Sequence, residues 1–288
     1  MSILLVDIGN TRAKWAYVVR GRVGRQHAVA HEGWTGAQIA RHILSKAAGK
    51  SGRNFASRSF SKSVGQSTGK SARVSKRVER VVVVSVAGKR VDRGFALEVR
   101  RGLGYAPEFF SSQRRIAGVT TMYAEPWRLG ADRLAGVIGA HHLASRSGAK
   151  TRAVCVISVG TAMTMDLVDE RGRHRGGAIV PAPALMMNSL LTQTSGIRRR
   201  AQGGAAGRSF FARSTRAAIQ QGAMHAAAAV ADRAVAEARA TLGHSPWVLL
   251  TGGAAPALRK LLRSSHKHVP DLVLQGLAVV ASDGHHDS

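Results

Sequence analysis

Two stretches decide the fold: Asp7-Ile-Gly-Asn-Thr-Arg-Ala-Lys14 and Ser158-Val-Gly-Thr-Ala-Met-Thr-Met-Asp166. Each follows an apolar run, Ile3 to Ile8 in one case and Ala153 to Val159 in the other, breaks at a glycine, and resumes as a second strand-like run. An apolar strand, a polar glycine turn and a returning strand read as a β-hairpin. The two hairpins echo each other, and each opens one half of the chain. Val81 to Val86 is a β-branched run suited to a strand buried on both faces. Ala162 to Val168, the turn Asp169-Glu-Arg-Gly172 and Gly176 to Val180 extend the second hairpin into a meander. Helices are expected at Gln38 to Ala48, Asp132 to Leu143, Arg216 to Thr241 and Pro256 to Leu262, with a short strand at Val248 to Leu250. This alternation predicts an α/β protein whose halves are structural duplicates. The polar interval from Pro107 to Thr121 places the boundary, with an N-terminal domain over 1–118 and a C-terminal domain over 119–288.

Composition narrows the function classes. The 288 residues are 44% hydrophobic and 20% charged, within the globular range. No apolar run approaches a membrane span, and Met1 to Asn10 has no basic leader. A single cysteine, Cys155, allows no intramolecular disulfide, so a cytoplasmic location is expected. The 12 histidines show no zinc-binding spacing, and Gly-x-Ser-x-Gly is absent. The net charge of +27 invites a nucleic-acid reading, but ten of the basic residues crowd into Ser45 to Arg80 beside a single acid, Glu79. A solvated basic insertion over about residues 45–80 accounts for that clustering without a specific nucleic-acid partner.

Phosphoryl transfer calls for backbone and hydroxyl donors around phosphates, a carboxylate near a metal, and a group that orients the attacking oxygen. In the first loop Gly9 lets amides approach phosphate, Asn10 and Thr11 add donors, Lys14 adds a cation, and Asp7 offers a carboxylate to Mg²⁺ or its waters. A plain Gly-Asn turn reads equally well from this stretch alone. Gly160 and Thr161 supply a second loop, for which ordinary strand threonines are the alternative. The pair Gly252-Gly253 lets backbone lie flat against a planar group such as adenine, or simply turns strand into helix. Neither a Walker loop nor a Rossmann fingerprint is present.

Five motifs occur in order: Asp7-Ile-Gly-Asn-Thr with Lys14, Leu129-Gly-Ala-Asp-Arg133, Val159-Gly-Thr-Ala with Thr164, Gly176-Gly-Ala-Ile-Val-Pro181, and Thr251-Gly-Gly253. In that order the chain resembles type III pantothenate kinases, including the proteins called Bvg accessory factors. The resemblance implies two ribonuclease H-like domains of the actin, sugar kinase and heat-shock ATPase superfamily, with an interdomain nucleotide cleft. It also implies a homodimer that uses ATP to phosphorylate pantothenate, the first step of coenzyme A synthesis. By the same resemblance Asp7, Ile8, Gly9, Asn10, Thr11, Arg12, Ala13 and Lys14 form the first ATP loop, joined by Gly160, Thr161, Gly252 and Gly253. Asp132 is implied as the proton acceptor, and Arg133 as the contact to the pantothenate carboxylate. Gly130, Ala131, Tyr123 and Thr215 complete the implied acceptor site.

This chain departs from the family pattern where a monovalent cation, K⁺ or ammonium, is held by an aspartate. Ser158 stands at that position, and a neutral hydroxyl holds a cation less strongly. After Pro181 it reads Ala-Pro-Ala where glycine is common, and the basic segment has no counterpart. Two other functions fit the residues: a basic regulatory protein binding nucleic acid through Ser45 to Arg80 and Arg198 to Arg200, or a kinase of the same superfamily acting on another small alcohol.

Overall fold

The computed structural model describes residues 2–47, 78–148, 151–202 and 209–283. Most of the basic segment over 45–80 therefore lies outside the described residues. The chain divides into two compact units, Met1–Phe110 and Ser111–Ser288.

The first unit begins with the expected hairpin, β1 (Ser2–Ile8) and β2 (Arg12–Val19), paired antiparallel with Asp7 opposite Lys14. Two short strands follow, β3 (Arg22–Val23) and β4 (His27–Ala30), both pairing with β2. Helix α1 (Gly36–Ala47) precedes β5 (Arg80–Ser85), which pairs parallel with β1. Helix α2 (Lys89–Leu103) then leads to β6 (Glu108–Phe109), parallel to β5. The valine run of β5 and the aliphatic run of β1 are buried on both faces, as continuous apolar strands require. Leu4, Val6, Val81 and Val83 pack with Ile39, Ile43, Phe95 and Val99 of the two helices.

The second unit starts with a small hairpin, β7 (Arg115–Ile116) and β8 (Val119–Thr121). Helix α3 (Ala131–Ser145) follows, then the meander β9 (Val154–Val159), β10 (Ala162–Val168) and β11 (Arg173–Pro181). Next come α4 (Pro183–Gln193), α5 (Ser195–Arg200) and the long α6 (Thr215–Leu242). The chain ends with β12 (Trp247–Thr251), α7 (Ala255–Leu258), β13 (Lys267–His268) and α8 (Leu272–Asp283). Because Thr120 and Thr121 pair with Arg173 and His174, the β7–β8 hairpin joins the second sheet. The units thus divide after Phe110 rather than after Gly118.

Strand order bears on the expectation of duplication. The first sheet runs β3-β2-β1-β5-β6, and the second contains β11-β10-β9-β12-β13. In each, an antiparallel hairpin is extended through its first strand by two parallel strands. In the second unit small residues on α6, Ala227, Ala228 and Ala231, face Ile157, Met165 and Leu250 of the sheet. Alanine at these positions lets a helix backbone sit close to strands, so the alanine-rich composition suits packing as well as propensity.

Candidate active site

The first loop is a tight connection in which Gly9 N–H donates to the Arg12 carbonyl at 3.0 Å, leaving Asn10 and Thr11 exposed at its tip. Lys14 Nζ lies 3.7 Å from Asp7 Oδ2, a consequence of their direct opposition in the β1–β2 ladder. The loop is anchored from below. Buried His31 places Nε2 2.8 Å from the Gly9 carbonyl, and its own N–H donates to the Thr11 carbonyl at 3.1 Å. His31 had no signal in the sequence, since its partner lies 22 positions away.

In the second unit the structure brings two of the expected motifs together. Ser158, at the end of β9, pairs in register with both Thr164 of β10 and Thr251 of β12. The turn Gly160-Thr161 and the pair Gly252-Gly253 therefore leave the same end of the sheet. Gly252 has φ of +98°, and a Cβ there would lie 2.3 Å from the Val159 carbonyl oxygen. Only glycine allows both that backbone conformation and that approach to β9.

Gly130, Ala131, Asp132 and Arg133 form the N-terminal turn of α3, where an anionic side chain is favoured by the helix dipole. Asp132 Oδ1 accepts the Arg133 backbone N–H at 2.8 Å. Burial raises the Asp132 pKa above the ordinary carboxylate value. The adjacent Arg133 N–H and guanidinium oppose the shift, and the Asp166 charge adds to it.

Arg133 does not project freely toward solvent. Its Nε and Nη2 donate to Asp166 Oδ2 and Oδ1 at 3.1 and 2.6 Å, and its Nη1 donates to the Tyr123 hydroxyl at 3.2 Å. Asp166 is also 2.9 Å from His174 Nε2. Burial would raise the Asp166 pKa, but hydrogen bonds from His174 and Arg133 prevail and lower it, so this carboxylate is ionised. The His174 ring stacks on Tyr123 with centroids 5.8 Å apart. Asp166 and Gly177 also line a cavity of about 440 Å³ bounded by β10, β11 and α6.

Tyr123, Asp132 and Arg133 are thus gathered, while Thr215 sits in the first turn of α6 behind the N-cap Ser214. No hydrogen bond among the described residues joins Thr215 to Tyr123 or Arg133. Asp166 and His174 were not anticipated as site residues. The spacing from Asp166 to His174, across one hairpin turn, was the available signal. Arg198 to Arg200 are on α5, where Arg198 caps carbonyls of Leu191 and Thr192 through its side chain. Among the described residues no group of three or more His, Cys, Asp or Glu side chains could hold a metal by itself. A divalent ion relying on one carboxylate, phosphates and water remains compatible with Asp7.

The fold is shared with solved structures of low sequence identity. It aligns with a protein from Sinorhizobium meliloti assigned as a 2-dehydro-3-deoxygalactonokinase at TM-score 0.54 and 14% identity, covering 98% of each chain. It also aligns with the activator of 2-hydroxyisocaproyl-CoA dehydratase from Clostridium difficile at TM-score 0.50 and 13% identity, over 100% of this chain and 98% of that one. The particular family is given by sequence. Residues 3–237 match the family model described as type III pantothenate kinase, and the chain belongs to that family. A curated type III pantothenate kinase of Nitrosococcus oceani is 34% identical over 281 residues, 98% of this chain and 94% of the relative. One of Aromatoleum aromaticum is 34% identical over 285 residues, 98% of each chain.

Proposed function

We infer that this chain is a pantothenate kinase, which transfers the γ-phosphoryl group of ATP to the primary hydroxyl of pantothenate. The product, 4'-phosphopantothenate, begins coenzyme A synthesis. Family membership supports the reaction. The observation that carries its chemistry is the half-buried Asp132 carboxylate, with its raised pKa, beside the tethered Arg133 and Tyr123. A carboxylate of raised basicity is a better acceptor for the alcohol proton than a solvated one. As the alcohol oxygen bonds to phosphorus and the bond to ADP breaks, that proton passes to Asp132. Arg133 and Tyr123 hold the carboxylate end of pantothenate, with Gly130, Ala131 and Thr215 as further contacts.

For ATP, the proposed donors are Asp7 to Lys14 in the first unit and Gly160, Thr161, Gly252 and Gly253 in the second. Asp7 would hold Mg²⁺, directly or through water, and the ion would supply neutralisation of the phosphate charge. Ser158 offers only a neutral hydroxyl at the position that the family resemblance assigns to a monovalent cation, so K⁺ or ammonium should stimulate weakly. A cytoplasmic homodimer completes the reading. The test is a coupled assay for ADP release with ATP, Mg²⁺ and pantothenate, run with and without K⁺ or ammonium. Release that does not depend on pantothenate would reject this function.

A further inference from the structure

The reading above uses Arg133 but gives no work to the side chains that hold it. A guanidinium carries five N–H donors. Asp166 takes one on Nε and one on Nη2, and the Tyr123 hydroxyl takes one on Nη1. One hydrogen remains on Nη1 and one on Nη2. Asp166 is itself fixed from the opposite side by His174 Nε2 at 2.9 Å. The other His174 nitrogen, Nδ1, lies 3.5 Å from Thr121 Oγ1, and the imidazole is stacked on the Tyr123 ring at an interplanar angle of 20°. The contacts therefore close on themselves, from Tyr123 to Arg133, Asp166, His174 and back to Tyr123. Backbone seals the pair as well. A Cβ on Gly177 would stand 2.5 Å from Asp166 Oδ1 and 2.6 Å from Arg133 Nη2. The side chains of Arg133, Asp166 and His174 are only 8%, 2% and 0% exposed, so solvent does little to loosen them.

An arginine on a flexible stem loses conformational freedom each time it must meet a planar anion. A bidentate buried carboxylate removes that freedom in advance. We propose that Asp166, backed by His174, is a positioning residue for the acceptor substrate, clamping the Nε–Nη2 side of Arg133 so that the remaining Nη1 and Nη2 hydrogens are held ready for the substrate carboxylate. This rests on the reading of Arg133 as the contact to the carboxylate of pantothenate. It assigns Asp166 no contact with the reacting atoms.

The clamp separates kinetically from a purely structural role. Asp166→Asn keeps the shape but removes the charge and one acceptor. In steady-state assays the KM for pantothenate should rise about tenfold or more, while the KM for ATP stays within about threefold. His174→Asn, which withdraws the donor from Asp166 while leaving a polar group near Thr121, should shift the same constant in the same direction and by less. It also serves if Asp166→Asn does not yield folded protein by circular dichroism. A fall in kcat with the pantothenate KM unchanged in the folded variants, or no change in either constant, would overturn the clamp while leaving the kinase intact. An unsubstituted enzyme that shows no pantothenate-dependent ADP release would instead remove the functional reading, and the clamp with it.

Discussion

At Asp132 the interests of stability and of chemistry diverge. Its carboxyl titrates above the usual range because burial penalises the charge more than Arg133 relieves it. A folded-state pKa above the unfolded one means that the group favours folding while protonated and loses that contribution as pH rises through the folded pKa. Asp132 in its ionised form is therefore a burden on the fold that the reaction requires. Asp132→Asn should lower kcat by about 100-fold or more. Its melting temperature at pH 7 should be no lower than that of the unsubstituted protein. Both are checked by the ADP-release assay and a thermal melt on one preparation. For the unsubstituted enzyme, the acid limb of kcat should fall at a pH above about 4, the ordinary carboxylate value. Asp132 and Arg133 could be named from the Gly-Ala-Asp-Arg motif. Their electrostatic setting could not, because it depends on Asp166, which is 33 positions from Arg133.

Among the elements, the hairpins and the meander were readable because apolar runs met glycine turns, a local pattern. Helix α2 was not read, although Val91, Phe95 and Val99 form a stripe at four-residue spacing, because arginines and Lys89 dominate the segment. Nor was α8, a short apolar helix that resembles a buried strand until its partner is known. The Pro256 helix is shorter than expected, since α7 ends at Leu258. The partner of α8 is α3. A Cβ on Gly276 would lie 1.8 Å from the Ala135 carbonyl oxygen, and one on Gly139 would lie 2.4 Å from that of Leu272. Backbones this close leave no space for a methyl group. Gly276→Ala should therefore destabilise the protein by about 2 kcal/mol or more, read as a shift in the urea midpoint. Because α3 carries Asp132 and Arg133 at its start, the variant that remains folded should also lose turnover.

Across the whole molecule, the charge of +27 supplies a general attraction for polyanions. Duplex DNA should be retained at about 50 mM salt and released by about 200 mM, with no preference among sequences, as measured by fluorescence anisotropy. Sequence-dependent binding that survives the higher salt would reopen the nucleic-acid reading. Each unit encodes its hairpin locally, whereas the parallel strands that extend it pair across long sequence separations. By itself the amino-acid sequence determined those hairpins, the buried strands, the ordered motifs and, through them, the family. The tertiary structure alone decided that His31 braces the first loop, that Gly160-Thr161 and Gly252-Gly253 share one sheet end, and that Asp166, bonded in turn to His174, holds Arg133. Turns and strand periodicity are set by neighbours along the chain, whereas a hydrogen-bonded side-chain cluster exists only once distant segments have packed.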